Sequence, residues 1–183
     1  MGKVIAGTTM SLDGFINDRN GSVGSLYPDL AALGETEMLQ ESIKNTGAVI
    51  MGRRAYDMAN GDLTGYEYQV PIFVLTHRVP SQVPKGQNQN LKVIFVMDGI
   101  ESAVEQAKVA AGDKEVQVVG GADTAQQLLR AGLVDEIQIG IMPVLLGKGL
   151  RFFEHLENEQ IELEKMDIME SAERTDLRFR VVK

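Results

Sequence analysis

The chain has 183 residues, with 18 basic against 26 acidic side chains, a net charge of −8, no cysteine and two histidines. That length gives one domain room for a full core, and the acidic balance argues against nucleic acid or an anionic membrane surface as a partner. Without cysteine there is no disulfide, thiol nucleophile or thiolate metal site, and His77 and His155 are too few and too far apart for zinc, so no metal is expected.

Residues 1–6 lack the apolar run of a secretory signal, and no stretch of ~18 apolar residues suggests a membrane span. The expectation is a cytoplasmic globular protein, a single domain over residues 1–183. Residues 3–10 read as a first strand. A helix is expected from about Thr36 to Asn45, with Met38, Leu39 and Ile43 inward and Gly47 beyond its end. Residues 48–52 form a Val/Ile-rich strand that turns into a helix, and residues 70–75 and 92–96 read as two more strands. Asp98 with Glu101 predicts a capped helix carrying Ile100, Val104, Ala107 and Ala111, ended by Gly112. Residues 115–119 are again a strand. Asp123 with Gln126 predicts a second capped helix, with Ala125, Leu128 and Leu129 as its apolar stripe up to Gly132.

The last quarter changes character. Ile137, Ile139 and Ile141 alternate with Gln138 and Gly140, as in a half-covered strand. Ile161, Leu163, Met166 and Ile168 alternate with a phase slip near Glu164-Lys165, which predicts a β-bulge. Leu177, Phe179 and Val181 mark a final strand, close enough across residues 171–173 to pair as a hairpin. The sum is a three-layer α/β/α sandwich. Its sheet is mixed and mostly parallel, with about eight strands, an antiparallel C-terminal edge and four helices.

Four segments carry more specific information. They are Ser11-Leu12-Asp13-Gly14-Phe15-Ile16 after the first strand, Val49-Ile50-Met51-Gly52-Arg53-Arg54-Ala55-Tyr56, and Val118-Val119-Gly120-Gly121-Ala122-Asp123. The fourth is Asp135-Glu136-Ile137 leading to residues 143–149 and Phe152-Phe153. A glycine between a strand and a helix lets backbone N–H groups approach a phosphate, aided by the helix dipole. Gly52 and Gly120-Gly121 both stand at such junctions. The same glycines also serve as plain turns, and Arg53, Arg54 and Arg78 taken singly read as surface charges.

In order and spacing the set resembles the dihydrofolate-reductase-like superfamily, nearest the branch built on the reductase domain of the riboflavin-pathway deaminase/reductase, over about residues 3–182. The resemblance implies a reductase using NADPH, held by Thr9, Gly52, Arg53, Arg54, Leu75, Thr76, His77, Arg78, Gly120, Gly121, Ala122, Asp123 and Thr124. It places Arg53 and the 75–78 segment at the 2′-phosphate, where arginine forks suit a dianion. It also implies a cis peptide between Gly120 and Gly121. Asp123 doubles as a helix N-cap, and His77 reads equally as a loop residue.

For the substrate the resemblance points to Asp13, Tyr56 and Lys148, and for catalysis to Asp13, Thr36 and Glu37. Counting back from Gly52 puts Thr36 where folate enzymes carry an acid, with Glu37 beside it, which favours a substrate other than folate. Asp13 serves either a substrate or the turn before Gly14, and Tyr56 either the pocket or the core; Met51, Phe95, Phe152 and Phe153 read as core. Alternatives are a dihydrofolate reductase acting on a pterin and a nucleotide-binding module without catalysis. The expected partners are a small-molecule substrate and a second copy of the chain, in a homodimer built on residues 161–169 and 174–182.

Overall fold

A computed structural model describes residues 2–28, 30–156, 160–171 and 173–183, with the side chain of Ser171 left aside. Its strands are β1 (Val4–Ser11), β2 (Thr46–Gly52), β3 (Ile72–Leu75), β4 (Val93–Val96), β5 (Glu115–Val119), β6 (Glu136–Met142), β7 (Leu163–Ser171) and β8 (Arg174–Val181). They form one sheet in the order β4-β3-β2-β5-β1-β6-β8-β7. Pairings are parallel from β4 across to β6, and β8 runs against both β6 and β7. The helices are α1 (Leu30–Gly34), α2 (Glu37–Asn45), α3 (Arg53–Met58), α4 (Ile100–Ala111) and α5 (Ala122–Arg130), with a 3-10 turn at Gly24–Leu26. The expected mixed sandwich is the observed one. The short α1 and the 3-10 turn, lacking a periodic apolar pattern, add to the four helices expected.

Period-two alternation divides the strands between two cores. Ala48 and Ile50 of β2, with Val4, Ala6, Val116 and Val118, face the small and apolar side chains of α4 and α5. Val49 and Met51, with Ile72 and Val74, face Tyr56 of α3 and Leu39 and Ile43 of α2. Burial on both faces explains why these strands read as continuous apolar runs.

The winding locates the site. From β2 the chain passes through α3 to β3, its neighbour on one side. From β5 it passes through α5 and over β1 to β6, on the other side. The crevice beyond the carboxyl ends of β2 and β5 is therefore the topological switch point, where open α/β sheets bind ligands.

Several local expectations are corrected. β6 is not half covered: Glu136 and Gln138 are as buried as the isoleucines between them. They face charged partners, since Arg178 of β8 lies 3.7 Å from Glu136 and 3.7 Å from Glu41 of α2. Alternation alone does not distinguish a solvated face from a buried polar one. The α4 cap is Gly99, at φ 97°, with no side-chain hydrogen bond, so the Asp98–Glu101 box does not form. The α5 cap is Gly121, and Asp123 lies one residue inside the helix, accepting from Gln127 Nε2 at 2.6 Å. Thr36 does cap α2, accepting from Leu39 N at 3.4 Å. The bulge in β7 falls between Lys165 and Asp167, one residue after the expected slip.

Candidate functional site

At the switch point lies a cleft of about 840 Å³, lined among others by Gly52, Arg53, Arg54, Leu75, Thr76, His77, Arg78, Gly121, Asp123 and Thr124. These ten come from three separate strand ends, and all were expected at a cofactor. The cleft also takes in Met97, Gly99, Ile100 and Gln127, which no motif marked. Met97, Gly99 and Ile100 arrive because β4 is parallel to β3, so its carboxyl end and the start of α4 close the same side, and Gln127 comes from α5. Three arginines face one acid, Asp123, whose carboxylate is already turned to Gln127. Neither α3 nor α5 has a side-chain cap, so their first-turn N–H groups are not met by a capping side chain.

Arg53 is held in place. Its Nε donates to Asp57 Oδ1 at 2.8 Å, and Nη1 donates to Thr76 Oγ1 at 3.2 Å and to the Arg78 carbonyl at 2.8 Å. One guanidinium thus ties the start of α3 to the loop after β3. Thr76 Oγ1 also donates to the Arg78 carbonyl at 2.8 Å, which fixes that loop independently. The result is a preorganised Arg53 guanidinium in a wall that Arg54 and Arg78 also line.

The Gly120–Gly121 bond is trans, which corrects the expected cis linkage. Both residues instead take positive φ, 74° and 83°, a conformation that glycine adopts without penalty. A Cβ on Gly120 would stand 2.5 Å from Ala55 Cβ, and one on Gly52 2.6 Å from Thr124 Oγ1. The glycines therefore let the starts of α3 and α5 pack against each other's strand.

Two smaller cavities lie on the other side of Gly120. One, about 240 Å³, is bordered by Gly7, Thr9, Tyr68, Gln117, Gly120 and Gln138, together with residues of α2. The other, about 470 Å³, includes Leu26, Glu35, Thr36 and Met142. Tyr27, Leu33 and Arg174 border both. Arg174 is nearly buried and pairs with Asp176 Oδ1 through Nε at 2.7 Å and Nη2 at 2.5 Å, while Nη1 donates to Thr9 Oγ1 at 3.1 Å. Gly140 leaves the room, since a Cβ there would come within 2.7 Å of the guanidinium. Sequence reasoning missed Arg174, because only the register of β8 against β6 carries it to Thr9.

Most polar groups around the smaller cavity are paired. Ser42 Oγ and Tyr68 OH share a hydrogen bond of 2.9 Å, and burial pushes the Tyr68 phenol up, keeping it neutral. With its amide turned so that oxygen rather than nitrogen faces the guanidinium, Gln138 Oε1 accepts from Arg178 Nη2 at 2.8 Å and Nε at 3.0 Å. Gln117 is the exception: it is 4% exposed, and its Oε1 has no partner among the described residues. An orphaned buried amide oxygen costs about 1–3 kcal/mol.

Asp13 is an anchor. Its carboxylate accepts from Ser11 Oγ at 2.6 Å, Gly147 N at 2.8 Å and Leu146 N at 3.1 Å, so it ties the turn after β1 to the 143–149 loop. Leu12 N to the Val144 carbonyl and Ile16 N to the Leu150 carbonyl complete the stitching. The Ser11 hydroxyl foremost, then the Gly147 and Leu146 amides, hold the Asp13 carboxyl at about 2, below its ordinary 3.8. A lowered value means the anchor is fully made above pH 3.8 and is lost as pH falls through about 2. Asp13→Ala is expected to speed amide exchange at Leu146 and Gly147 about tenfold at neutral pH. Unchanged exchange there would show that the loop is held by other bonds.

Of the remaining expected residues, Tyr56, Lys148 and Glu37 lie apart from these cavities. Tyr56 is 1% exposed, stacked edge-on against Phe95 at 5.4 Å, and borders none of the three. Lys148 and Glu37 are exposed and also border none. Thr36 borders the 470 Å³ cavity, but its hydroxyl is occupied, donating to the Leu33 carbonyl at 2.8 Å besides capping α2. Arg151 lies over the Phe15 ring at 4.3 Å. Met51 and Phe152 are core as expected, Phe95 is partly buried, and Phe153 is exposed.

Comparison with known proteins agrees with this layout. Residues 2–177 match the family model described as the RibD C-terminal domain. Among curated proteins, YyaP of Bacillus subtilis strain 168, described as uncharacterized, is 29% identical over 156 residues, 82% of this chain and 80% of YyaP. A Thermotoga maritima diaminohydroxyphosphoribosylaminopyrimidine deaminase/5-amino-6-(5-phosphoribosylamino)uracil reductase superposes with a TM-score of 0.77 at 16% identity, covering 99% of this chain and 57% of that one. The dihydrofolate reductase of Enterococcus faecalis, in complex with NADP(H), superposes with a TM-score of 0.65 at 15% identity, covering 100% and 98%. At these identities the two structures speak for the fold.

Proposed function

We propose, for a chain that belongs to the RibD C-terminal domain family, that it is an NADPH-dependent reductase of a small heterocyclic substrate. The observation that carries the reading is the sequence of spaces across Gly120-Gly121. A basic cleft of about 840 Å³ reaches Gly121, and a polar cavity of about 240 Å³ is bordered by Gly120. The volume of the cleft falls in the range of cofactor sites. The residues fit the cofactor: Arg53 and Arg78 would hold the 2′-phosphate, the glycine junctions the diphosphate, and Thr9 the carboxamide end. Bound there, NADPH supplies a hydride.

The chain's own residues then have positioning work. Thr36 starts α2 over the substrate cavities, and Asp13 fastens the loops beside β1. Thr36, standing where the folate enzymes carry an acid, favours a substrate other than dihydrofolate, of the kind the Thermotoga enzyme is named for. The test compares NADPH oxidation with 5-amino-6-(5-phosphoribosylamino)uracil, the compound the Thermotoga enzyme is named for reducing, and with dihydrofolate. Faster turnover of the first supports the reading. Turnover of dihydrofolate alone would make the protein a pterin reductase, and binding of NADPH with neither reaction would favour a non-catalytic module.

We further propose a homodimer. The sheet ends at β7, whose Leu163 and Ile168 are 40% and 48% exposed beyond the reach of the helices. An apolar edge of this kind invites pairing. Sedimentation is expected at twice the 20.0 kDa chain mass, and Ile168→Lys is expected to shift it to the monomer. A wild-type monomer at micromolar concentration would refute the dimer.

A further inference from the structure

Three buried polar atoms lack a partner among the described residues: Tyr56 OH, Tyr66 OH and Gln117 Oε1. Only the last belongs to a residue that borders one of the three cavities. Gln117 stands on β5, two residues before the strand meets Val119 and Gly120, and shares the 240 Å³ cavity with Gly7 of the adjacent β1. A Cβ on Gly7 would lie 2.7 Å from Gln117 Nε2, so the glycine provides the room in which this amide stands. The neighbouring hydroxyls and amides are already paired, as Ser42 with Tyr68, Thr9 with Arg174, and Gln138 with Arg178. A carboxamide offers an acceptor beside a donor, the complement of a ring that carries N–H beside C=O.

We propose that Gln117 is the specificity-determining residue of this cavity, its Oε1 accepting a ring N–H from a flat lactam or ureide ligand. The inference rests on the reductase reading, in which this cavity receives the substrate. Sites built to bond a polar ligand group reject analogues that lack it, because the protein's own buried group is then left unpaired. Discrimination therefore centres on the N–H rather than on ring shape.

The test uses the full chain saturated with NADPH and two probes, uracil and its ring-N,N-dimethyl derivative, titrated calorimetrically. The wild type is expected to bind uracil at least about tenfold more tightly than the dimethyl compound. Gln117→Leu is expected to remove that preference by weakening uracil alone. Gly7→Ala, which presses only on the mobile end of the Gln117 side chain, is expected to reduce it as well, and guards against a misfolded first variant. The preference for NADPH over NADH, read separately by fluorescence, should be unchanged in both, since neither residue borders the basic cleft that would hold the 2′-phosphate. Persistent preference in Gln117→Leu, or no uracil binding by a wild type that holds NADPH, overturns the proposal. Failure of the wild type to hold NADPH would instead strike the reductase reading, and the uracil titration without NADPH would still decide the role of Gln117.

Discussion

Replacing Arg53 and Arg78 together by alanine is expected to weaken NADPH about a hundredfold while changing NADH by no more than about threefold. The two cofactors differ only in the 2′-phosphate, so their ratio isolates the contact in question. The geometry makes this control necessary. Arg53 also braces the loop after β3 through Thr76 and the Arg78 carbonyl, so its loss loosens that wall for any ligand. Thr76 keeps its own bond to the same carbonyl, which is why a general collapse is not expected. Arg53→Lys should recover little, because a single ammonium cannot replace a fork that bonds Asp57, Thr76 and Arg78 at once. Titration of both cofactors by nicotinamide fluorescence reads the result. Equal losses for NADPH and NADH would remove the 2′-phosphate from this cleft.

Gly120→Ala is expected to destabilise the fold by about 2–4 kcal/mol, adding the cost of a left-handed alanine to that of overpacking. Residue 120 has φ 74°, and its new Cβ would meet Ala55 Cβ at 2.5 Å. Relief requires α3 to move away from β5, and Arg53 moves with it, so NADPH should be lost as well. Adding Ala55→Gly removes the overlap and leaves the backbone strain, and should restore about half of the stability. Gly112→Ala provides the comparison. It too has positive φ, 63°, but open space around the new carbon, so it should cost only about 1–2 kcal/mol. Urea denaturation of the four proteins measures these differences. A Gly120→Ala protein no less stable than Gly112→Ala would show that the packing of α3 against β5 is looser than the distances indicate.

The basic wall and the glycine junctions were legible because each is local. Gly52-Arg53 and Gly120-Gly121 are strand-to-helix turns, and a turn's chemistry is written in adjacent residues. Strand positions were legible for a similar reason: double burial forces Val and Ile runs such as those of β2 and β5. Caps were less so. Asp98 and Asp123 have the right residue type at nearly the right place, yet glycines with positive φ took the cap positions. The Gly120–Gly121 peptide is trans because two left-handed glycines make the same tight approach without it.

What the sequence determined by itself was the sandwich, its two glycine turns between strand and helix and the change from parallel to antiparallel strands near its end. These follow from periodicity and local turn chemistry, which act within a few residues. What only the tertiary structure decided was the far side of Gly120. Asp13 reaches 134 residues along the chain to Gly147, Arg174 reaches 165 residues back to Thr9, and Gln117 of β5, its Oε1 without a partner among the described residues, stands beside Gly7 of β1. Each depends on register between distant strands, and a register is set by the packing of the whole sheet rather than by any one of its segments.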